Sequence, residues 1–352
     1  MRTYTISQTK KLTVIFLLFI TLIFMSFLCL FVGSSNMSVA DCFAALLKKS
    51  SPAYNRIIWN IRFPRIIAAI VAGAGLSISG LIMQTCLNNV MASPSTLGVS
   101  NAAVFGANLA IIAGAGGFLS TGNSLFHFTS GMNPFAVSFT AFIFSMLSIF
   151  MILVLCKIKS YAPNVVILSG LALGAIWTAA TTILQFYATD VGLSAAVIWN
   201  FGDLGRATYK IDLIMTTVVV LGIVTFSLLS WKYNALLSGD AVAVSLGINI
   251  NRVRFVSMVL ASMITAVCVS FLGVIGFVGI ICPHTVKKIL GQDHRFSIPA
   301  SVLAGSLLLV ISDTVSRSMG NGSALPVGAI TSLLGAPFFI SLIFSKENSH
   351  NA

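Results

Sequence analysis

The chain has 352 residues, 57% of them hydrophobic and only 8% charged, with a net charge of +12. An ordinary soluble domain carries about 25% charged residues, so a charged skin cannot be assembled here. A soluble enzyme, a nucleic-acid binder and a disordered chain are excluded, and charge this sparse among apolar runs reads as membrane topology.

A helix rises 1.5 Å per residue, so about 20 apolar residues cross a roughly 30 Å hydrocarbon core. Ten stretches are predicted as spans: 12–32, 64–84, 97–117, 134–156, 164–188, 211–231, 253–273, 275–290, 298–318 and 326–345. Lys10 and Lys11 precede the first, whose 21 residues exceed the roughly 7–15 of a signal-peptide core. Ser26-Phe27-Leu28 before Cys29 also lacks the small residues of a cleavage site, so a retained span is expected. The third is rich in glycine (Gly106, Gly114, Gly116, Gly117) and the eighth is short and holds Pro283 and His284. Both are expected to be kinked, partly buried helices. Membrane strands would alternate apolar and polar residues over about ten positions, whereas 12–32 and 211–231 are apolar on every face. The fold class is therefore an all-α polytopic membrane protein.

Basic residues set the orientation. With the N-terminus inside, the inner side holds twelve: Arg2, Lys10, Lys11, Lys157, Lys159, Lys232, Arg252, Arg254, Lys287, Lys288, Arg295 and Lys346. The outer side holds eight: Lys48, Lys49, Arg56, Arg62, Arg65, Arg206, Lys210 and Arg317. Both termini then face the cytoplasm. Five of the outer eight fall in one segment, 33–63 and its junction with the second span, which makes the exception local and that patch a functional candidate.

Small residues recur where helices should touch: Gly73, Gly75, Ser77, Ser79 and Gly80 in the second span, and a GxxxG at Gly170 and Gly174 in the fifth. Close backbone approach is how spans associate in lipid, so bundle packing accounts for most of them. The six cysteines, Cys29, Cys42, Cys86, Cys156, Cys268 and Cys282, make no CxxC pair and read as small hydrophobes. His127, His284, His294 and His350 form no ligand pair, and no GxxxxGK[ST] phosphate loop occurs. The acidic residue well inside a span is Asp313, with Arg317 four positions on, the spacing of an intrahelical ion pair. Its rival reading is the titrating group of a proton-coupled secondary transporter.

Three features carry more. The inner segment 233–251, which begins YNALLSGDAVAVSLGIN, is too polar to span. Ser238 is expected to cap a short helix from about Asp240 to Leu246 that Gly247 ends. Such a helix suits either the lipid surface or a cytoplasmic partner. On the outer side, IRFPRIIAAI places Arg62 and Arg65 at the mouth of the second span, with Pro64 in its first turn. These guanidiniums suit either a partner's carboxylates or lipid headgroups. Finally, NNVMASPSTLGVS (88–100), GVIGFVGIICPH (273–284) and LPVGAITSLLGAPFF (325–339) interrupt apolar sequence with helix breakers and hint at a translocation path.

The pieces IRFPRIIAAIVAGAGLSISGLIMQ (61–84), NNVMASPSTLGVS (88–100), LSGLALG (168–174), GFVGIICPHTVKKILGQDHRFSIPAS (276–301) and LPVGAITSLLGAPFFISLIF (325–344) run over almost the whole chain. In order and spacing the sequence resembles the FecCD-type permeases, membrane subunits of binding-protein-dependent ABC importers for iron-siderophores, haem and cobalamin. The resemblance implies a cobalamin-permease-like, type II ABC importer fold with ten transmembrane helices. It makes residues 1–352 a single permease domain in the cell membrane. The expected partners are a second permease subunit (homo- or heterodimer), two cytoplasmic ATPase subunits and an extracytoplasmic solute-binding protein. ATP is then bound on the partner, so this chain is expected to hold no cofactor and not to be an enzyme itself. The expected cargo is an iron chelate, iron-siderophore first, with haem or cobalamin next. By the same resemblance, 236–249 contacts the ATPase, with Leu236, Ser238, Gly239, Asp240 and Gly247 as the coupling residues. Arg62, Arg65 and Arg317 match arginines that dock the binding protein, and the cytoplasmic gate maps to Pro163 and Asn164.

Overall fold

The computed structural model of the chain describes residues 8–33, 37–114, 134–157, 162–319 and 325–347, with side chains to 337 in the last stretch. Residues 115–117 of the third predicted span, with His127, Lys159 and His350, lie outside the described residues. Each of the ten predicted spans holds a helix: α1 (Gln8–Phe31), α4 (Phe63–Cys86), α5 (Val99–Gly114), α6 (Pro134–Lys157), α7 (Pro163–Phe186), α9 (Tyr209–Leu228), α12 (Ile250–Leu272), α13 (Val278–Leu290), α14 (His294–Met319) and α15 (Val327–Glu347). Among the described residues, five shorter helices connect them: α2 (Val39–Leu46), α3 (Pro52–Arg56), α8 (Asp190–Asn200), α10 (Ser230–Leu237) and α11 (Asp240–Ser245). Among the described residues, seven helices are long and apolar enough to cross a membrane, and α5 and the stretch Val327–Pro337 of α15 are apolar but shorter. Apolar side chains such as Phe16, Phe150, Leu168 and Leu221 stand exposed, as expected where lipid is the solvent.

α4 is the central post. It is buried along nearly its whole length and packs against α14, α12, α13 and α9. No charge interrupts it beyond its first turn, and the buried Gln84 near its far end donates to the Ile280 carbonyl at 3.3 Å, so neighbours can close on every side. The predicted small residues make that closure possible. A methyl group on Gly73 would collide with the Gly305 carbonyl of α14, and one on Gly80 with the backbone of Gly279 in α13. Ser77 Oγ donates to the Ser301 carbonyl at 2.7 Å and Ser306 Oγ to that of Ile70 at 2.8 Å, so hydroxyls reinforce the same seam. Replacing Gly80 with alanine is expected to cost about 1–3 kcal/mol, the overpacking range, seen as a lower unfolding temperature in detergent. Gly174→Ala, where the nearest atoms are 3.4 Å away, should leave that temperature unchanged.

One boundary differs from the sequence expectation. The helix leading into the second span begins at Pro52, capped by Ser51, and runs on through a π turn (Ile57–Arg62) into α4. Pro64 sits near the start of α4 rather than starting the run. It has no N–H to give and its ring crowds the preceding turn. The wider turn, with the Phe63 N–H bonded to the Ile58 carbonyl, accommodates it without ending the helix.

The non-helical stretch between α12 and α13 is buried in protein. Gly273 (φ +81°) abuts the Trp199 carbonyl, the Asp203 N–H donates to the Leu272 carbonyl at 2.8 Å, and Gly328 packs beside the Val274 carbonyl. That is the condition under which irregular backbone is tolerated at membrane depth. All six cysteines are buried and unpaired with one another.

Candidate functional site

At the outer ends of α1, α4 and α14, the arginines and Asp313 meet. Asp313, wholly buried, accepts a hydrogen bond from Arg65 Nε at 2.7 Å on one oxygen and ion-pairs with Arg317 Nε at 3.0 Å through the other. Arg65 also reaches Asp203 at 3.6 Å. Arg317 donates to the carbonyls of Val32 (2.7 Å) and Cys29 (3.0 Å) and contacts the Cys29 thiol, which ties α14 to the end of α1. Arg62, 4% exposed, donates to the Leu30 carbonyl and reaches Cys42 Sγ at 3.7 Å. Gly33 leaves room for its guanidinium. The expected Asp313–Arg317 pair is thus present, with a third member from 248 positions away in sequence. The three arginines named for docking face inward on internal partners. The exposed outer cations of this segment are Lys48, Lys49 and Arg56.

Deeper in the molecule, the loop 87–98 separates two openings. It turns on Asn88 (φ +43°) and Gly98 (φ +80°). A reciprocal pair holds it, with the Ser93 N–H donating to Thr96 Oγ1 (3.0 Å) and the Thr96 N–H to Ser93 Oγ (3.2 Å). On one side, a cavity of about 330 Å³ lies between Ser93, Ser95 and Thr96 and the start of α13, with Thr265 on its wall. The Thr265 hydroxyl has no hydrogen-bond partner among the described residues. On the other, a cavity of about 460 Å³ lies between Ser95, Thr96 and Asn101 and the face of α7 that carries Gly170, Gly174 and Thr178. Asn101 Nδ2 donates to the Gly174 carbonyl (3.1 Å) and to Thr178 Oγ1 (3.0 Å). Among the described residues, neither cavity is lined by a charged side chain. Small hydroxyl and amide groups can solvate a bulky polar solute without gripping it.

At the inner end, α10 and α11 form the predicted interruption, with two corrections of detail. Ser238 ends α10 rather than capping α11, whose first residue follows Gly239 (φ +103°) without a side-chain cap. Leu236 is buried against the core, so it holds the segment in place instead of presenting it. Gly247 does end α11: its N–H bonds to the Val244 carbonyl (2.9 Å) and that of Ile248 to the Ala243 carbonyl (3.0 Å). With φ +77° at Gly247, this is the Schellman arrangement, sealed by buried Ala243 and Ile248. The apolar residues that α11 offers outward are Val242, Val244 and Leu246, the last two each 61% exposed. Sequence reading missed them because they look like ordinary helix residues. Pro163 and Asn164 sit at the first turn of α7, half-buried and exposed respectively.

Polar bridges bind this inner segment to the end of α4. Arg254 Nη2 pairs with Asp240 at 2.9 Å while its Nε donates to the Cys86 carbonyl at 2.9 Å. Cys86 is the last residue of α4, so one of that helix's orphan carbonyls gains a cation. The His294 ring spans Asn234 Oδ1 and Thr85 Oγ1, both at 2.9 Å. Asn234 Nδ2 also donates to Asp293 at 2.9 Å. Burial alone would raise the Asp293 carboxyl. Hydrogen bonds from the Arg295 N–H and the Asn234 amide, with the charges of Arg295 and Lys11, outweigh it and hold the group below its usual range.

Comparison with known proteins decides what kind of machine this is. The model of the FecCD transport family matches residues 20–345. The chain belongs to that family. It is 42% identical over 341 residues to a protein of Methanocaldococcus jannaschii named as an ABC transporter permease, covering 97% of this chain and 96% of the other. It is 32% identical over 345 residues to the Fe(3+)-citrate import system permease protein of Bacillus subtilis, covering 97% and 98%. A third relative, the hemin transport system permease protein of Yersinia pestis, is 30% identical over 321 residues, covering 91% and 93%. The fold matches a solved inward-facing ABC transporter described as metal-chelate type, with a TM-score of 0.80 at 24% identity over 95% of this chain and 99% of that one. As a FecCD chain it is an integral membrane transporter component with a type II ABC importer fold. Asp313 then has a structural place: it is closed off by two guanidiniums.

Proposed function

We propose that this chain is the permease subunit of a binding-protein-dependent ABC importer and passes an iron chelate of the siderophore class into the cytoplasm. The observation that carries the reading is the family match over 20–345, joined to an inner knob whose exposed apolar residues lie outside the spans. The ATPase seats on α10–α11, with Val242, Val244 and Leu246 as its apolar contacts beside Ser238, Gly239, Asp240 and Gly247. Two copies of the chain, or this chain and a paralogue, enclose the path. Its hydroxyl lining leaves cargo selection to the binding protein on the outer face. Docking through Arg62, Arg65 and Arg317 requires those groups to exchange Asp313 and backbone carbonyls for the partner's carboxylates. Lys48, Lys49 and Arg56 reach a partner without that exchange. The first turn of α7, with Pro163 and Asn164, serves as the cytoplasmic gate.

The test is uptake into vesicles that contain the chain with its ATPase, with binding protein outside and ATP inside. Ferric siderophore should accumulate only when ATP and binding protein are both present. Accumulation of haem or cobalamin instead would move the cargo within the family. Uptake that ignores ATP and follows a proton gradient would overturn the importer reading itself.

A further inference from the structure

A groove of about 700 Å³ runs between α6 and α12 on the outside of the bundle, and its polar end coincides with the inner ends of both helices. Lys157, the last residue of α6, and Arg252, near the start of α12, stand there with Asn249 and Asn251. Both cations are exposed, and among the described residues no acidic residue lines the groove. A second groove of about 550 Å³ shares Asn249 and Arg252 and adds Lys232 and Trp231; among the described residues it too has no acidic lining. Lys232 Nζ lies 5.4 Å from the Trp231 ring centre.

The body of the first groove is apolar and reaches up α6 through Leu153, Phe150 and Ile149 to Met146. From Met146 to Lys157 is about 16 Å at 1.5 Å per residue, close to half of a roughly 30 Å hydrocarbon core. An apolar trough one leaflet deep, opening sideways and ending in cations at the inner boundary, matches an acyl chain that carries an anionic headgroup. Basic recesses between spans on the cytoplasmic side are a recognised setting for such headgroups, and an exposed tryptophan at that level is the usual interfacial anchor.

We propose that this surface is a binding site for an anionic phospholipid of the inner leaflet, with the acyl chain along α6 and α12 and the phosphate held by Lys157, Arg252 and Lys232. Its headgroup end touches Asn249, which caps α12 just beyond α11, so the lipid buttresses the corner that positions the inner knob. The site is independent of which cargo the transporter carries.

The test uses the full chain, purified in mild detergent and exposed to phosphatidylglycerol or phosphatidylcholine, with bound lipid counted by native mass spectrometry. Phosphatidylglycerol should be retained in preference to phosphatidylcholine. Each cation near an anionic surface is worth about 1 kcal/mol, about fivefold in affinity. Lys157→Gln with Arg252→Gln should therefore weaken phosphatidylglycerol binding roughly 30-fold. Both side chains are exposed, so folding should be unaffected, and Lys48→Gln with Lys49→Gln on the outer side should bind like the parent. Equal retention of the two lipids, or an unchanged affinity in the inner pair variant, would overturn the site. So would displacement of the lipid by inorganic phosphate alone at low millimolar concentration, which would mark a free-anion site in place of a lipid one.

Discussion

Replacing Asp313 with asparagine is expected to destabilise the folded chain by about 3–5 kcal/mol, the range for breaking a buried ion pair by removing one partner. Asparagine keeps the shape but leaves two buried guanidiniums without their shared anion. Arg65 retains Asp203, whose side chain is 47% exposed and already partly solvated. Arg317 retains only the carbonyls of Cys29 and Val32 and the Cys29 thiol among its described partners. The loss should appear as a lower unfolding temperature in detergent and as poor recovery of the variant from membranes. The companion variant is the apolar triple, Arg65→Met with Asp313→Leu and Arg317→Met. Well-packed apolar replacements of whole buried ion clusters are often neutral or stabilising, so most of the lost stability should return. A triple variant as unstable as Asp313→Asn would show that packing, and not charge, holds the three helices together.

Arg254→Gln is expected to separate ATP hydrolysis from transport. Arg254 is 7% exposed and bridges Asp240 at the start of α11 to the Cys86 carbonyl at the end of α4. Leaving a buried carbonyl unpaired costs about 1–3 kcal/mol, and 1.4 kcal/mol is a factor of ten. The transporter should still assemble and hydrolyse ATP, because the exposed face of α11 is untouched, while solute moved per ATP falls roughly tenfold. Asp240→Asn keeps an acceptor oxygen for Arg254 and should fall less. An unchanged ratio of uptake to hydrolysis in Arg254→Gln would remove the bridge from the coupling path.

The spans were legible in the sequence because lipid demands long apolar runs, and each of the ten predicted stretches holds a helix. The Schellman end of α11 was legible for a similar local reason, since Gly247 supplies the positive φ that the motif requires. What depends on distant partners was not. Asp313 and Arg317 are four apart and announce themselves, but nothing local says that Arg65 completes the set. Counting cations by side put Arg62 and Arg65 together at one end of the spans and could not show that both turn inward. The continuation of α3 through a π turn was hidden because Pro64 ordinarily marks a helix start. His294, one of four scattered histidines, shows its bridge between Asn234 and Thr85 only once α10, α4 and α14 are brought together.

The seam along α4 has a kinematic consequence. At Gly73 against Gly305 and at Gly80 against Gly279, main chain meets main chain with no side chain between, and hydroxyls cross the α4–α14 line. Such contacts have no slack: a small sliding step would drive carbonyls into neighbouring backbone. α4, α13 and α14 therefore behave as one stator. Along α7 the contact is uneven: a methyl on Gly170 would meet the Leu97 backbone at 2.8 Å, whereas one on Gly174 would stand 3.4 Å from Asn101 Nδ2 beside the adjoining cavity. α7 and the loop 87–98 are therefore tied at Gly170, and any shift of α7 carries Leu97 with it while the cavity beside Gly174 supplies the room.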